Sequence, residues 1–154
     1  MNEKPAYDPS SLQLIYSVLL MAQLVITIVV IYVAEDQSNV RFEWGYWNHI
    51  VIPAVAGVLG SLGKTIWNKG ILRISQTEEV EEKLKVLTRI HILQWVMVEL
   101  ATILLLTYTL IESNFFYFIF ALVNIIYFFT LRPKIFSLTG GIWITSNRSK
   151  WKNS

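Results

Sequence analysis

Ser75 to Ile111 reads SQTEEVEEKLKVLTRIHILQWVMVELATILLLTYTLI, and this stretch decides the fold. It contains neither proline nor glycine, and Ser75 and Glu78 have the S-x-x-E spacing that opens many helices. The sequence therefore predicts one unbroken helix. At about 1.5 Å per residue such a helix is roughly 50 Å long, whereas the hydrocarbon core of a bilayer is roughly 30 Å thick. Part of the helix must lie outside the lipid.

The two halves of this helix differ in character. Residues 76–89 are rich in Glu, Lys and Arg and are predicted to extend into water, whereas residues 90–111 are apolar enough to span a bilayer. In a helical wheel one sector of the apolar half collects His91, Gln94, Trp95, Glu99, Thr102 and Thr109. An exposed carboxylate in hydrocarbon costs about 3 kcal/mol, so this face is expected to point into protein.

The composition indicates a membrane protein. Apolar residues make up 54% of the 154-residue chain and charged residues 16%, whereas soluble domains carry roughly 25% charged residues. The length allows a single membrane domain, residues 1–154, and no additional soluble domain. The chain has no cysteine, which excludes disulfides and thiolate zinc sites, and its net charge of +2 is too small to indicate a nucleic-acid partner.

Three further apolar segments complete the predicted fold. With residues 90–111 as the third span, the other spans are residues 12–34, 50–67 and 115–131. Asn68 to Ile74 is predicted to be a basic linker, and the turn at residues 112–114 is short enough to force the last two spans into an antiparallel hairpin. Residues 134–154 form a basic tail with two tryptophans. The sequence therefore predicts an all-α, four-transmembrane-helix bundle.

The distribution of Lys and Arg predicts the orientation. There is one before the first span, one in the first loop (Arg41), six from Lys64 to Arg89, none in the short turn and five from Arg132 onward. Basic residues concentrate on the cytoplasmic side of membrane proteins. We therefore expect a multi-pass protein of a bacterial-type inner membrane with both termini cytoplasmic, which also makes residues 76–89 a cytoplasmic helical extension.

Glu99 is the residue that most needs an explanation. A structural account is a protonated carboxyl that donates a hydrogen bond to Gln23, Asn124 or Thr102. A functional account is a carboxyl that exchanges a proton or holds a cation, with His91 as a relay toward the cytoplasm. The possible ion or proton site therefore comprises Glu99, His91, Gln94, Thr102, Gln23 and Asn124.

Two other sets of residues have predicted structural roles. Small residues in the second span let another helix approach closely, namely Ala54, Gly57, Gly60 and Ser61. Indole rings favour the membrane surface, and the predicted anchors are Trp44, Trp47, Trp67, Trp143 and Trp151.

No enzyme signature is present in the sequence. Two histidines without an HExxH motif or a carboxylate cluster do not predict a metal site. Neither a serine-nucleophile motif nor a glycine-rich nucleotide loop occurs. We therefore expect no catalytic residue, no metal and no cofactor. A membrane enzyme or a lipid or quinone binder at the rim from Trp44 to His49 is a third class of function.

Two resemblances add to these expectations. The layout, with VMVELATILLLTYTLI and a last span that runs into FFTLRPK, resembles small four-span bacterial inner-membrane proteins, most of them uncharacterised. More distantly, four spans with one carboxyl at mid-membrane depth are similar to the proteolipid subunits of rotary ATPases. That resemblance implies an ion-carrying role for Glu99, although this chain places Glu99 in the third span and has bulky aromatic residues in place of the Gly/Ala-rich packing.

The function predicted first is that of a non-enzymatic membrane component, an accessory or structural subunit. Its expected partners are the lipid bilayer and either further copies of the chain or another membrane protein. The predicted contact surfaces are the small-residue face of the second span, the aromatic fourth span and the cytoplasmic helix. The alternative is a proton- or cation-conducting membrane oligomer in which Glu99 titrates.

Overall fold

The computed structural model describes residues 9–34, 40–76 and 80–132 as four α-helices and their connections. The helices are α1 (Pro9–Val33), α2 (Asn48–Gln76), α3 (Val80–Ile111) and α4 (Phe115–Thr130). The prediction of an all-α, four-helix protein is confirmed. The basic tail at residues 134–154, with Trp143 and Trp151, lies outside the described residues.

Three of the helices are long and apolar enough to cross a membrane: Ser11–Val33, Asn48–Ile74 and Glu82–Ile111. The fourth helix, Phe115–Thr130, is apolar but shorter. Its 16 residues give a length of about 24 Å. The four predicted segments are therefore all helical, and three of them meet the length of a span.

The predicted unbroken helix from Ser75 to Ile111 is wrong. Ser75 and Gln76 are the last residues of α2, and α3 begins at Val80. Residues 77–79, between these helices, lie outside the described residues. The predicted helical extension therefore starts at Val80 instead of residue 76.

The predicted linker from Asn68 to Ile74 is also wrong, because α2 continues through it to Gln76. The reason is packing. Gly70 is buried against Ile90 of α3, whose Cδ1 lies 2.8 Å from the place where a Gly70 Cβ would be. About two turns earlier, Gly63 lies against Gln94 and Met97. The two long helices thus form an antiparallel pair in which glycines permit close approach.

α3 is the central helix of the bundle, because α1, α2 and α4 all pack against it. Two hydrophobic clusters lie along it. The first, toward the turn between α3 and α4, contains Val30, Ile52, Ala56, Ala101, Leu105, Leu106, Tyr117, Phe118 and Ala121. The second, toward the end of α4, contains Leu12, Tyr16, Trp95, Val98 and Phe128. This arrangement buries the side of α3 on which the polar residues lie.

The turn between α3 and α4 is a tight hairpin, as predicted from its length. Ser113 adopts a left-handed conformation with φ of 49°. Asn114 follows in an extended conformation and caps α4, since its side chain accepts from the backbone N–H of Phe116 at 3.1 Å. One strained residue and one capping residue therefore reverse the chain.

Candidate functional site

The polar face predicted for α3 is buried, as expected from its helical spacing. Trp95, Thr102 and Thr109 have no exposed surface, and the most exposed member of the face, Glu99, has 8%. Three threonines on this face or facing it donate to the carbonyl four residues earlier: Thr27 to Gln23, Thr102 to Val98 and Thr109 to Leu105. These hydroxyls are thereby satisfied within their own helices.

Gln23 of α1 meets Glu99 and Thr102 of α3 in the interior. The Gln23 Nε2 donates to Thr102 Oγ1 at 3.5 Å, and the same amide lies within hydrogen-bonding reach of the Glu99 carboxyl. The sequence placed these three residues in one site, and the structure brings them together. We name this group the Gln23–Glu99 site.

Two oxygens of the Gln23–Glu99 site have no hydrogen-bond partner among the described residues. They are Gln23 Oε1 and Glu99 Oε2. Gln23 is 1% exposed and Glu99 is 8% exposed, so water does not readily replace the missing partners. A buried polar atom without a partner is uncommon because desolvation costs about 1–3 kcal/mol. The site thus lacks at least one donor or one positive charge.

His91 does not join the Gln23–Glu99 site. It precedes Glu99 by eight residues on the same helix, a rise of about 12 Å. Its Nδ1 is 3.0 Å from the carbonyl oxygen of Leu87, and its ring packs edge-on against Trp67 and Trp95 at centroid distances of 4.6 and 5.4 Å. His91 is therefore packed in an aromatic cluster, and a direct relay to Glu99 is not formed.

Gln94 and Asn124 lie in a different place from the one predicted, since they line a groove between α2 and α4. This α2–α4 groove has a volume of about 560 Å³ and is also lined by Gly57, Gly60, Ser61 and Lys64. Gln94 is 5% exposed. Its amide and that of Asn124 make no hydrogen bond to another described residue. Asn68 also lines the groove, which therefore offers three amides and one ammonium group to an occupant.

The predicted packing residues of the second span are not covered by another helix of the described chain. A Cβ atom added at Gly57 or at Gly60 would meet nothing within 4 Å, and Ala54 and Ser61 are exposed. The glycines that α3 covers are Gly63 and Gly70 instead. The small-residue face, defined as Ala54, Gly57, Gly60 and Ser61, is thus open.

A second polar cluster, which no sequence pattern indicates, is centred on Asn114. Its Oδ1 accepts from the backbone N–H of Arg41 at 3.1 Å as well as from that of Phe116, and its Nδ2 donates to the Arg41 carbonyl at 2.8 Å. Its Nδ2 also lies 3.0 Å from His49 Nε2, while His49 Nδ1 accepts from the backbone N–H of Glu43 at 3.0 Å. Asn114 and His49 thereby fasten the loop before α2 to the start of α4.

Glu112 completes this cluster as an acceptor for three side chains. Tyr46 and Asn48 donate to its Oε1 at 3.2 and 2.8 Å, and Tyr117 donates to its Oε2 at 2.6 Å. His49 Nε2 lies 3.9 Å from Oε2. A cavity of about 740 Å³ opens beside these residues, and its lining includes Arg41 and Tyr108. We name it the loop-end cavity.

The tryptophans predicted as surface anchors differ in their surroundings. Trp44 and Trp47 are 83% and 78% exposed, which leaves their predicted role open. Trp67 is instead half-buried and packs on His91. Its place on α2 opposite α3 explains the difference, because the ring fills space between the two helices.

No group of three or more potential metal ligands occurs among the described residues. Comparison with protein-family models, with curated proteins and with solved structures finds no match to this chain.

Proposed function

We propose that the chain is a non-enzymatic integral membrane component that assembles with a copy of itself or with another membrane protein. Three helices of sufficient length and apolarity support insertion in a membrane. The asymmetry of Lys and Arg supports four spans with both termini cytoplasmic, in a bacterial-type inner membrane. On this placement the chain acts through its contacts within the bilayer.

The open small-residue face of α2 carries this proposal. A helix that faces only lipid gains nothing from glycine, which weakens a helix by about 1 kcal/mol relative to alanine. Small residues are useful where two helices approach closely in a membrane. Gly57 and Gly60 have free space above them, so their use within the described chain is unexplained. Contact with a helix of another molecule would explain why glycine occupies these two positions.

The amides of the α2–α4 groove support the same proposal. Gln94 and Asn124 line the groove beside Gly57 and Gly60. Side-chain amides hydrogen-bond across helix interfaces in membranes, and hydrocarbon offers them no alternative partner. A partner helix on the small-residue face would bring polar groups within reach of these two side chains.

The test is the native mass of the protein in mild detergent, together with identification of whatever copurifies. Ala54→Leu places a bulky side chain on the small-residue face, and we expect it to reduce the assembled fraction at least tenfold. Ala22→Leu is the matched control, because Ala22 is exposed on α1 and the same volume is added there. We expect the control to assemble as the wild type does.

The possible outcomes distinguish assembly through the small-residue face from its absence. A defined homo-oligomer, or a stoichiometric second protein, that is lost only in Ala54→Leu supports the proposal. A wild-type protein that is monomeric and without a partner at all detergent concentrations contradicts it. Equal loss of assembly in both variants would also contradict it, since the effect would then not depend on the small-residue face.

A second candidate function is a proton- or cation-conducting membrane oligomer. The unpartnered oxygens of Gln23 and Glu99 favour it, because a buried carboxyl that lacks a hydrogen-bond partner can bind a proton or a cation and release it again. The test is ion flux into proteoliposomes for the wild type and for Glu99→Gln. Conduction predicts that the variant folds and assembles but carries no flux, whereas equal flux from both proteins argues against it.

A further inference from the structure

The loop-end cavity takes no part in the contacts proposed for assembly. Its volume of about 740 Å³ falls in the range of roughly 300–1,000 Å³ that small-molecule sites occupy. Its lining includes the charged residues Arg41, Glu43 and Glu112, together with Tyr46, Tyr108 and His49. Polar groups that converge on one cavity are the ordinary sign of a binding site.

The loop that forms one wall of the cavity is held by buried side chains. Asn114 binds the backbone N–H and carbonyl of Arg41 at 3.1 and 2.8 Å. Two residues later, the backbone N–H of Glu43 donates to His49 Nδ1 at 3.0 Å. Asn114 and His49 are 6% and 5% exposed, so the path of the loop is set from the interior. A wall that is already ordered loses less entropy when a ligand binds.

Glu112, on the other wall, has one acceptor position still open. Its side chain is 12% exposed. Its Oε1 accepts from both Tyr46 and Asn48, whereas its Oε2 accepts from Tyr117 alone. Each carboxylate oxygen has two lone pairs. Oε2 can therefore accept one more hydrogen bond.

No positive charge of the described chain neutralises Glu112. Within 4 Å the one basic group among the described residues is His49, whose Nε2 lies 3.9 Å from Glu112 Oε2. A ring nitrogen that accepts a hydrogen bond carries no hydrogen, so His49, with Nδ1 as an acceptor, is uncharged in this arrangement. Arg41 and Glu43 make no ion pair and no side-chain hydrogen bond with another described residue. The lining thus has two carboxylates and one guanidinium without charged partners.

The cavity lies at the depth of lipid headgroups on the proposed placement. The loop that forms its first wall carries Trp44 and Trp47, which are 83% and 78% exposed. Indole rings concentrate at the interface between membrane and water. The second wall is the turn that follows the end of α3 at Ile111. The headgroups of the surrounding lipid are therefore within reach of the cavity.

We propose that the loop-end cavity binds a phosphoethanolamine group, the chemistry of the phosphatidylethanolamine headgroup. The ammonium group donates to the open position of Glu112 Oε2, and the phosphate pairs with Arg41, since a guanidinium matches the spacing of phosphate oxygens. The rings of Tyr46 and Tyr108 belong to the same lining, and aromatic rings attract ammonium groups. This inference rests on the proposed insertion in a membrane but not on assembly.

The test is native mass spectrometry of the wild-type protein in detergent with added lipids that have identical acyl chains and different headgroups. Phosphatidylcholine has the same charges as phosphatidylethanolamine, but its trimethylammonium group has no N–H donor. Phosphatidylglycerol keeps the phosphate and lacks the ammonium group. We expect one phosphatidylethanolamine per chain, bound at least tenfold more tightly than either of the other lipids. This comparison requires no variant to fold.

Two variants assign the parts of the headgroup to residues. Glu112→Gln keeps the shape of the side chain but loses its charge, and we expect about tenfold weaker binding of phosphatidylethanolamine and no remaining preference over phosphatidylglycerol. Arg41→Gln changes an exposed side chain and should weaken both lipids alike, because both contain the phosphate. Glu82→Gln is the matched control, since Glu82 is an exposed carboxyl near the opposite end of α3.

Ala54→Leu separates this inference from assembly. Ala54 does not line the loop-end cavity, so the variant should bind phosphatidylethanolamine as the wild type does, even where its assembled fraction falls. Loss of the lipid from Ala54→Leu would overturn the proposal, because the lipid would then belong to the assembly interface.

Free phosphoethanolamine distinguishes the two sources of the group. Displacement of the lipid by an equal concentration of the free molecule would support a soluble ligand in the cavity. Displacement only by a large excess would support a lipid headgroup, whose acyl chains add to the affinity. Both results agree with the proposed chemistry.

Three results would contradict that chemistry. One is equal binding of the three lipids by the wild-type protein. Another is a preference for phosphatidylethanolamine that survives in both Glu112→Gln and Arg41→Gln. The third is an equal loss of binding in Glu82→Gln, which would show that the effect does not depend on the cavity.

Discussion

Two side chains from other helices donate hydrogen bonds to carbonyl groups at the end of α4. The last carbonyls of a helix lack partners within the helix, and here Tyr16 OH donates to the Phe128 carbonyl at 3.3 Å while Trp95 Nε1 donates to the Leu131 carbonyl at 3.2 Å. Tyr16 also stacks on the Phe128 ring at a centroid distance of 5.2 Å. Aromatic residues from α1 and α3 thus fix α4 through both hydrogen bonds and packing.

Trp95→Phe is expected to lower the free energy of unfolding by about 0.5–1.5 kcal/mol, because the partly buried Leu131 carbonyl loses the hydrogen bond that the Trp95 indole N–H donates. Trp95 has no exposed surface. Reversible unfolding in mixed micelles measures the effect. Trp44→Phe, at a residue that is 83% exposed, is the matched control and should leave stability unchanged. Equal stability of wild type and Trp95→Phe would show that the indole N–H is dispensable.

The Asn114 side chain caps α4 and also holds the loop before α2 through hydrogen bonds to the Arg41 backbone. Asn114→Ala removes both, and we expect a loss of about 2 kcal/mol or more, at the upper end of cap deletions. Asn114→Asp keeps the acceptor for the N–H groups of Arg41 and Phe116 but loses the donor to the Arg41 carbonyl. It should therefore unfold between the wild type and the alanine variant in the same assay. A ranking with aspartate below alanine would contradict this account.

At the scale of the elements, glycine has two uses along α2. Gly63 and Gly70 allow α3 to approach, whereas Gly57 and Gly60 face open space within the described chain. Small residues of α2 do permit close packing, but the two that α3 covers are Gly63, two residues beyond Ser61, and Gly70, nine residues beyond it. Gly70 also explains why α2 continues past residue 67.

Gly70→Ala should destabilise the fold by about 1–3 kcal/mol, because its Cβ would overlap Ile90 and force the paired helices apart. Gly57→Ala is the matched control. A Cβ there meets nothing within 4 Å, and alanine favours a helix by about 1 kcal/mol, so stability should stay equal or rise. Thermal unfolding of the two variants in detergent measures the difference. A Gly70→Ala variant as stable as Gly57→Ala would contradict the packing described for α2 and α3.

The helices and the buried face of α3 could be predicted because both depend on local periodicity. The spacing of Glu99 and Thr102 on one helix determines their common side, whatever packs against it. The Asn114 cluster could not be predicted, since its contacts join residues that are 65 and 73 positions apart. The end of α2 was mispredicted because the composition of Asn68 to Ile74 is polar, while its packing on Ile90 is a tertiary effect.

At the scale of the whole molecule, α2 and α3 are longer than a bilayer is thick and project from the same end of the bundle. Their 29 and 32 residues give lengths of about 44 and 48 Å. The projecting part carries Lys69, Arg73, Lys83 and Arg89. Under the proposed orientation the projecting ends of α2 and α3, which also carry Glu81, Glu82 and Lys85, stand in the cytoplasm, and the Asn114 cluster lies at the opposite surface.

The orientation can be tested with single cysteines, because the chain has none of its own. Trp47→Cys lies in the exposed loop before α2, and Lys69→Cys lies on the projecting part of α2. A maleimide that does not cross membranes should label Trp47→Cys in intact cells and Lys69→Cys only after lysis. The reverse pattern would invert the proposed topology, and labelling of both in intact cells would place the two sites on the same side.

The shortness of α4 has a consequence for the surrounding lipid. On the proposed placement, a helix of about 24 Å lies in a hydrocarbon layer of roughly 30 Å, so the bilayer beside α4 thins or the neighbouring side chains reach toward the headgroups. Such deformation costs fractions of a kcal/mol per Å of mismatch. Two molecules that meet along α4 share one thinned region instead of making two. Membrane thickness would then act as a control on assembly, favouring association in thick bilayers and dispersal in thin ones.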